Sequence, residues 1–176
     1  MKEEAMFSEK QRMRNISVIL ILILINMLFI IGIIKQIGFG TPFGNNPLSD
    51  TFLLILTGII LIFTFVNIFI VSLDTIINKE GIYVRFAPFQ RRYNYYSWED
   101  IDEVSIITYR PLKTYGGWGI RFGMNSKIYN MSGNIALKIR FKNRKDLLIG
   151  TINPDELSNT LIKLGKLNKQ FNGKGK

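Results

Sequence analysis

Residues 52–73, FLLILTGIILIFTFVNIFIVSL, run without a single charged side chain. At about 1.5 Å per helical residue such a stretch reaches roughly 33 Å, enough to cross a hydrocarbon core of about 30 Å. It reads as a membrane span. Asp74 then opens a strand pattern with no linker, so whatever folds after the span is held against one face of the bilayer.

A second apolar run, residues 16–34, precedes it, interrupted by Ser17, Asn26 and Gly32. It is long for a signal sequence and no small-x-small cleavage pattern follows, so a retained span is expected, with a cleaved signal as the alternative. The connector GFGTPFGNNPLSD is rich in Gly, Pro and Asn, and residues 36–51 hold no Lys or Arg. Lys2, Lys10, Arg12 and Arg14 lie before the pair, and Lys79, Arg85, Arg91 and Arg92 lie after it. The positive-inside bias therefore puts both chain ends in the cytoplasm and the connector outside, with Lys35 snorkelling at the outer interface.

The chain divides on this reading into a polar tail (1–15), a two-helix transmembrane hairpin (16–73, with spans 16–35 and 52–73), a cytoplasmic domain (74–166) and a basic tail (167–176). Formal charge is +10, and residues 74–176 carry 18 basic against 9 acidic groups, so the excess belongs to the domain and its tail. There are no cysteines and no histidines, which removes disulfides, thiolate nucleophiles, imidazole bases and the two commonest zinc ligands. No Walker loop, dinucleotide fingerprint or nucleophile motif occurs. An enzyme is not expected, and neither is a cofactor or a metal. The tyrosines 93, 95 and 96 with Trp98 lack the interleaved basic residues of a nucleic-acid module.

Beyond residue 74 the apolar period becomes two. Strands are expected at 74–78, 82–86, 92–98, 104–109, around 119–121, at 127–131, 134–142 and 145–151, in a meander of hairpins. In NIALKIRFK, Ile135, Leu137, Ile139 and Phe141 face inward, with Lys138, Arg140 and Lys142 outward. Asn153-Pro154-Asp155-Glu156 combines an N-cap, Pro at the first helical position and an acid three residues after the cap. The apolar stripe of Leu157, Leu161 and Leu164, joined by Ile162, then predicts a helix of about 13 residues ending near Gly165.

About seven short antiparallel strands closed by one C-terminal helix resemble a pleckstrin-homology-like domain. Gly116-Gly117-Trp118-Gly119-Ile120-Arg121, then Tyr129 to Asn134, then Leu148-Ile149-Gly150-Thr151 before Pro154-Asp155-Glu156-Leu157 are similar to bacterial membrane proteins that join two transmembrane helices to such a domain. The resemblance covers residues 16–166. It implies a membrane-anchored α+β architecture, a two-helix hairpin plus an antiparallel β-sandwich or barrel, and no catalytic residues. Relatives that bind phosphoinositides have a lysine and further spaced basic residues in the first hairpin. Here that region offers Lys79 and Arg85 with Glu80 between them, which argues against that ligand.

Three sets of residues are candidates for contact. Lys138, Arg140 and Lys142 with Arg144 and Lys145 could face an anionic leaflet or a partner, each cation near a surface contributing about 1 kcal/mol, or form a solvated strand face. Gly116, Gly117, Trp118 and Arg121 could be a binding loop or a packing anchor at a bend. Asn26 and Asn67 could join the two spans through an interhelical hydrogen bond worth on the order of 1 kcal/mol, or line a path for a small ligand. Glu99, Asp100, Asp102 and Glu103 read as a solvated turn. Apart from membrane lipid, the expected partner is a protein or a second copy of the chain. The leading expectation is a non-catalytic interaction or assembly module at the inner membrane, and the alternative is anionic-headgroup sensing by the Lys138 face.

Overall fold

The computed structural model describes residues 4–123 and 125–167. It divides into two units, one holding the chain up to Arg12 and from Val71 onward, the other Met13–Ile70. The second unit is a pair of helices. α1 (Ile16–Ile33) starts at Asn15, whose side chain accepts from Val18 N, and its last turn widens into π geometry over Ile34–Gly38. α2 (Asp50–Phe65) starts at Ser49, whose hydroxyl accepts from Phe52 N, and widens likewise over Val66–Ile70.

Both helices, Ile16–Gly38 and Asp50–Ile70, are long and apolar enough to cross a membrane. Only 11% of each hydrophobic window is buried, which is not the state of a soluble protein's core helix. The second span is thus shifted from the expected 52–73. Val71, Ser72 and Leu73 leave the helix and are buried in the β unit, because Ser72 and Leu73 pair with strands on both sides.

The β unit contains two sheets. One orders β1 (Phe7–Arg12), β2 (Ser72–Ile77), β3 (Gly81–Ala87) and β4 (Asn94–Ser97) in sequence, all antiparallel. The expected polar tail over 1–15 is therefore wrong for Phe7–Arg12. β1 is amphipathic with period two, Phe7, Glu9 and Gln11 buried and Ser8, Lys10 and Arg12 exposed. The apolar signal is missing because two of its three inward side chains are polar. Since β1 precedes α1 and belongs to the sheet, a signal cut after α1 would remove a strand of the fold.

The other sheet holds β5 (Ile101–Thr108), β6 (Gly119–Phe122), β7 (Ser126–Asn130), β8 (Ile135–Phe141) and β9 (Asp146–Gly150) in the order β5-β8-β9-β7-β6. There are nine strands among the described residues, not about seven, and this sheet is not a meander. β9 pairs antiparallel with β8 and parallel with β7. Leu147, Leu148 and Ile149 are all buried, as a central strand covered on both faces requires, and the β6–β7 hairpin supplies its outer neighbour. A short helix, α3 (Pro111–Tyr115), unanticipated from the sequence, starts with Pro at its first position and ends at Gly116 with φ of 70°.

The core draws Leu73, Ile77, Ile82 and Val84 from the first sheet and Tyr129, Leu137, Ile139 and Ile149 from the second, while Ile128 packs with Tyr109, Ala136 and Leu148 on the second sheet's other face. The sheets are tied across by Gln90 Nε2, which donates to Tyr129 Oη at 3.0 Å, and by the rings of Tyr96 and Phe141, 5.5 Å apart. α4 (Pro154–Lys163) has 10 residues and buries Leu157 and Leu161; Leu164 is half-buried just past its end and Ile162 is exposed. Asn153 makes no side-chain cap. The basic tail expected after residue 166 lies outside the described residues beyond Leu167.

Candidate functional site

The five cations of the β8 face and its turn are exposed or half-buried, but four of them have partners. Lys138 Nζ lies 3.2 Å from Asp146 Oδ2, Arg140 Nη1 2.8 Å from Glu103 Oε2, and Arg144 Nη2 3.1 Å from Asp100 Oδ2. Lys142 Nζ donates to Glu99 O at 2.8 Å, and the Arg144 guanidinium also sits 3.9 Å from the Phe141 ring centroid. β5 pairs with β8, so the acidic turn before β5 and the acids on β5 fall alongside the basic strand. Asp100 and Glu103 are thereby counter-charges to Arg144 and Arg140, while Glu99 offers Lys142 only its backbone carbonyl. Each such exposed pair is worth about 0.2–1 kcal/mol, and together they lower the field the face presents. Lys145 is exposed at the end of this row.

Gly116 and Gly117 lead from α3 into β6, both with positive φ, and Trp118 is half-buried. Arg121 Nε donates to Trp118 O at 3.2 Å, which closes the bend on itself. This arrangement is that of an anchored turn, with Arg121 engaged by the loop's own backbone. Within the helix pair, Asn26 Nδ2 donates to Leu22 O at 2.7 Å and across to Thr64 Oγ1 at 2.8 Å. Asn67 Nδ2 donates instead to Phe63 O in its own helix, at 2.8 Å. The interhelical polar contact is therefore Asn26 with Thr64, and Asn67 is not its partner. A threonine hidden among apolar residues gave no reason to prefer it.

Arg85 is also engaged. Its Nη2 and Nε both donate to Asp74 Oδ2, at 2.5 and 3.1 Å, and its guanidinium lies 4.6 Å from the Tyr93 ring centroid. Asp74 is 5% exposed and accepts from Ser72 Oγ at its other oxygen, so this is a built-in strand pair rather than a free phosphate clamp.

Two features escaped the sequence reading. Glu9 of β1 is 5% exposed, and Thr151 Oγ1 and Ile152 N donate to its two oxygens at 2.6 and 2.8 Å. These donors lie between β9 and the start of α4, so Glu9, 142 and 143 residues away in sequence, fastens the segment that leads into the helix. Gln11 Nε2 donates to Gly150 O beside it at 2.5 Å. Burial pushes the Glu9 carboxyl above its ordinary value of 4.5, against the opposing pull of these hydrogen bonds.

The other is an open cleft of about 940 Å³ where the β2–β3 turn meets the C-terminal end of α4. It is lined by Lys79, Lys163 and Lys166, by Tyr83, Tyr95 and Trp98, and by Glu80 and Glu99. Tyr83 and Tyr95 lie side by side, ring centroids 4.7 Å apart, and Lys166 Nζ lies 5.2 Å from the Trp98 centroid. The polar atoms of the rings are engaged within the fold: Tyr83 Oη donates to Glu80 Oε2 at 2.9 Å, Tyr95 Oη to Glu80 O at 3.1 Å, and Trp98 Nε1 to Asn78 O at 3.0 Å. A smaller cleft of about 470 Å³ shares Lys79 and Lys163 and extends to Glu4, Ala5 and Met6. No sequence motif marks this site, because its lysines come from a turn and a helix end more than 80 residues apart.

Among the described residues no group of three acidic side chains is placed to hold a metal ion. Neither a curated protein nor a solved structure matches the chain. One family profile does, over residues 2–165, a match that takes in β1, both long helices, both sheets and α4. The chain therefore belongs to that family, described as a family of unknown function, DUF6141.

Proposed function

We propose that this protein is a non-catalytic integral protein of the bacterial inner membrane that holds its β unit in the cytoplasm as a protein-interaction or assembly module. The observation that carries the reading is the pairing of β1 with β2, with Arg12 opposite Ser72. The chain leaves the sheet at Arg12, makes two long apolar helices, and returns in the adjacent strand. Strands on either side of the helices can pair in one sheet only if both lie on the same side of a membrane, which two crossings provide. Lys10, Arg12 and Arg14 before the first helix, with Lys79 and Arg85 after the second, favour the cytoplasm as that side.

The hairpin is thus an insertion within a sheet, and the β unit has a tether at both ends of the insertion. A pleckstrin-homology-like assignment is supported by two sheets followed by a C-terminal helix. β1 and the parallel β7–β9 pairing are additions to that pattern. Sensing of the anionic leaflet by Lys138, Arg140, Lys142, Arg144 and Lys145 is disfavoured, since four of the five already have acidic or carbonyl partners. The test is crosslinking and co-purification from native membranes. A specific protein partner or a self-associated species is the expected result, and a monomer with no partner removes the proposal.

A further inference from the structure

Residues 88–93, Pro-Phe-Gln-Arg-Arg-Tyr, join β3 to β4 and include no acidic side chain. Gln90 fixes this loop from its middle. Its N–H donates to Phe86 O at 2.9 Å, its Oε1 accepts from Phe86 N at 3.0 Å, and its Nε2 donates to Tyr129 Oη. The residues on either side of Gln90 stay outside. Phe89 is 72% exposed, its ring 6.0 Å from that of Phe86, which is buried. Arg91 and Arg92 are exposed, and among the described residues neither takes part in an ion pair, whereas Arg85 before the loop is held by Asp74. The loop thus presents an aromatic ring beside two guanidinium groups without acidic partners, a combination suited to a boundary between hydrocarbon and phosphate.

The covalent chain limits how far this loop can be from lipid. Ala87 pairs with Ser72, and Ser72 comes two residues after Ile70, where the second apolar helix ends. Steps of about 3.8 Å along the chain and about 5.5 Å across the ladder keep the Cα of Phe89 within roughly 20 Å of the Cα of Ile70, whichever way the β unit is turned. The headgroup layer that begins where a span ends is inside that reach. A free protein competing for the loop would face lipid that the tether holds permanently nearby, at an effective concentration it does not match.

We propose that the loop of residues 88–93 is a membrane-surface anchor, in which Phe89 enters the boundary between headgroups and acyl chains and Arg91 and Arg92 pair with lipid phosphates. This rests on the two long helices crossing a membrane and is independent of any protein partner. It gives the β unit a third attachment besides its two chain connections, at Arg12 and Ser72, and so restricts its turning beneath the leaflet.

The test uses the full chain in nanodiscs of phosphatidylcholine and phosphatidylglycerol with brominated acyl chains, which quench nearby tryptophan. Unbrominated discs are the reference, and the parent, with Trp98 and Trp118, is the baseline. Phe89→Trp should lose about half or more of the emission it adds, as a side chain held about 5–10 Å into the boundary does. Adding R91E/R92E should restore most of that emission, and discs of phosphatidylcholine alone should restore part of it. Leu24→Trp, at an exposed position of α1, is the control within the span. Thermal melts in the same discs separate lost contact from lost fold. If Leu24→Trp is quenched and Phe89→Trp is not, the anchor is overturned and the spans stand. If Leu24→Trp is unquenched, the spans themselves fail. Quenching of Phe89→Trp that neither R91E/R92E nor the loss of phosphatidylglycerol changes overturns the anchor as well. If Phe89→Trp is unquenched and Phe89→Ala loses a crosslinked protein that the parent captures, the loop belongs to a protein interface and the anchor is overturned.

Discussion

Glu9 shows how one buried carboxylate shapes a fold at the scale of a residue. Its ionised form is favoured by Thr151 Oγ1 and Ile152 N but disfavoured by burial, and burial wins, so the folded protein binds this proton more tightly than the unfolded chain does. Its contribution to stability is then greatest below about pH 4.5 and declines as pH rises through the window above that value. Melting of the parent and of Glu9→Gln between about pH 4 and pH 7 should show the parent losing stability relative to the variant as pH rises; parallel curves would contradict the assignment. Gly81 is a second such position, because a Cβ there would fall on the Tyr96 carbonyl oxygen where β3 meets β4. Gly81→Ala should cost about 2 kcal/mol or more in denaturant unfolding, unlike Gly58→Ala, where a Cβ meets open space. Neither residue declares its role in the sequence. A glutamate in a charged N-terminal stretch looks solvated until Thr151 and Ile152 are brought to it, and the glycine of a Lys-Glu-Gly turn looks like turn chemistry until Tyr96 packs over it.

At the scale of elements, β1 and β9 carry the lesson. Phe7 is 2% exposed at the start of β1, so Phe7→Ala should destabilise the β unit by about 3–5 kcal/mol, measured by tryptophan fluorescence on unfolding. A loss under about 1 kcal/mol would mean that β1 does not hold to the sheet. Between the long helices, Asn26→Leu should cost on the order of 1 kcal/mol by removing the bond to Thr64, whereas Asn67→Leu should cost less, since its amide bonds only within its own helix. Most strands were legible, because alternation of the kind seen in Ile135 to Phe141 is a local property. Their neighbours were not: β9 sits between β8 and β7, whereas a meander of hairpins gave residues 145–151 no partner beyond their chain neighbours. The C-terminal helix was legible from Pro154 and its leucines, but the hydrogen bonds of Thr151 and Ile152 to Glu9, which fasten the segment before it, depend on β1.

For the whole molecule, the proposed two crossings make a prediction that the absence of cysteine renders simple to test. Single cysteines at Ser8, Asn143 and Asn45 should divide in intact cells, Asn45→Cys reacting with an impermeant thiol reagent and the other two reacting only after permeabilisation. Labelling of Ser8→Cys or Asn143→Cys from outside would reverse the orientation and the partners that depend on it. The amino-acid sequence by itself determined the two apolar helices, the change to period-two strands and the closing helix, since length, hydropathy and alternation are written along the chain. Tertiary structure alone decided that residues 7–12 are a strand, that β9 lies between β7 and β8, that Arg140 and Arg144 meet acids at β5 while Lys138 meets Asp146 of β9, and that Lys79, Lys163 and Lys166 line one cleft. Each of these is a pairing of distant segments, chosen by which polar groups can be satisfied and which apolar faces covered together, and no window of the sequence contains both halves of the choice.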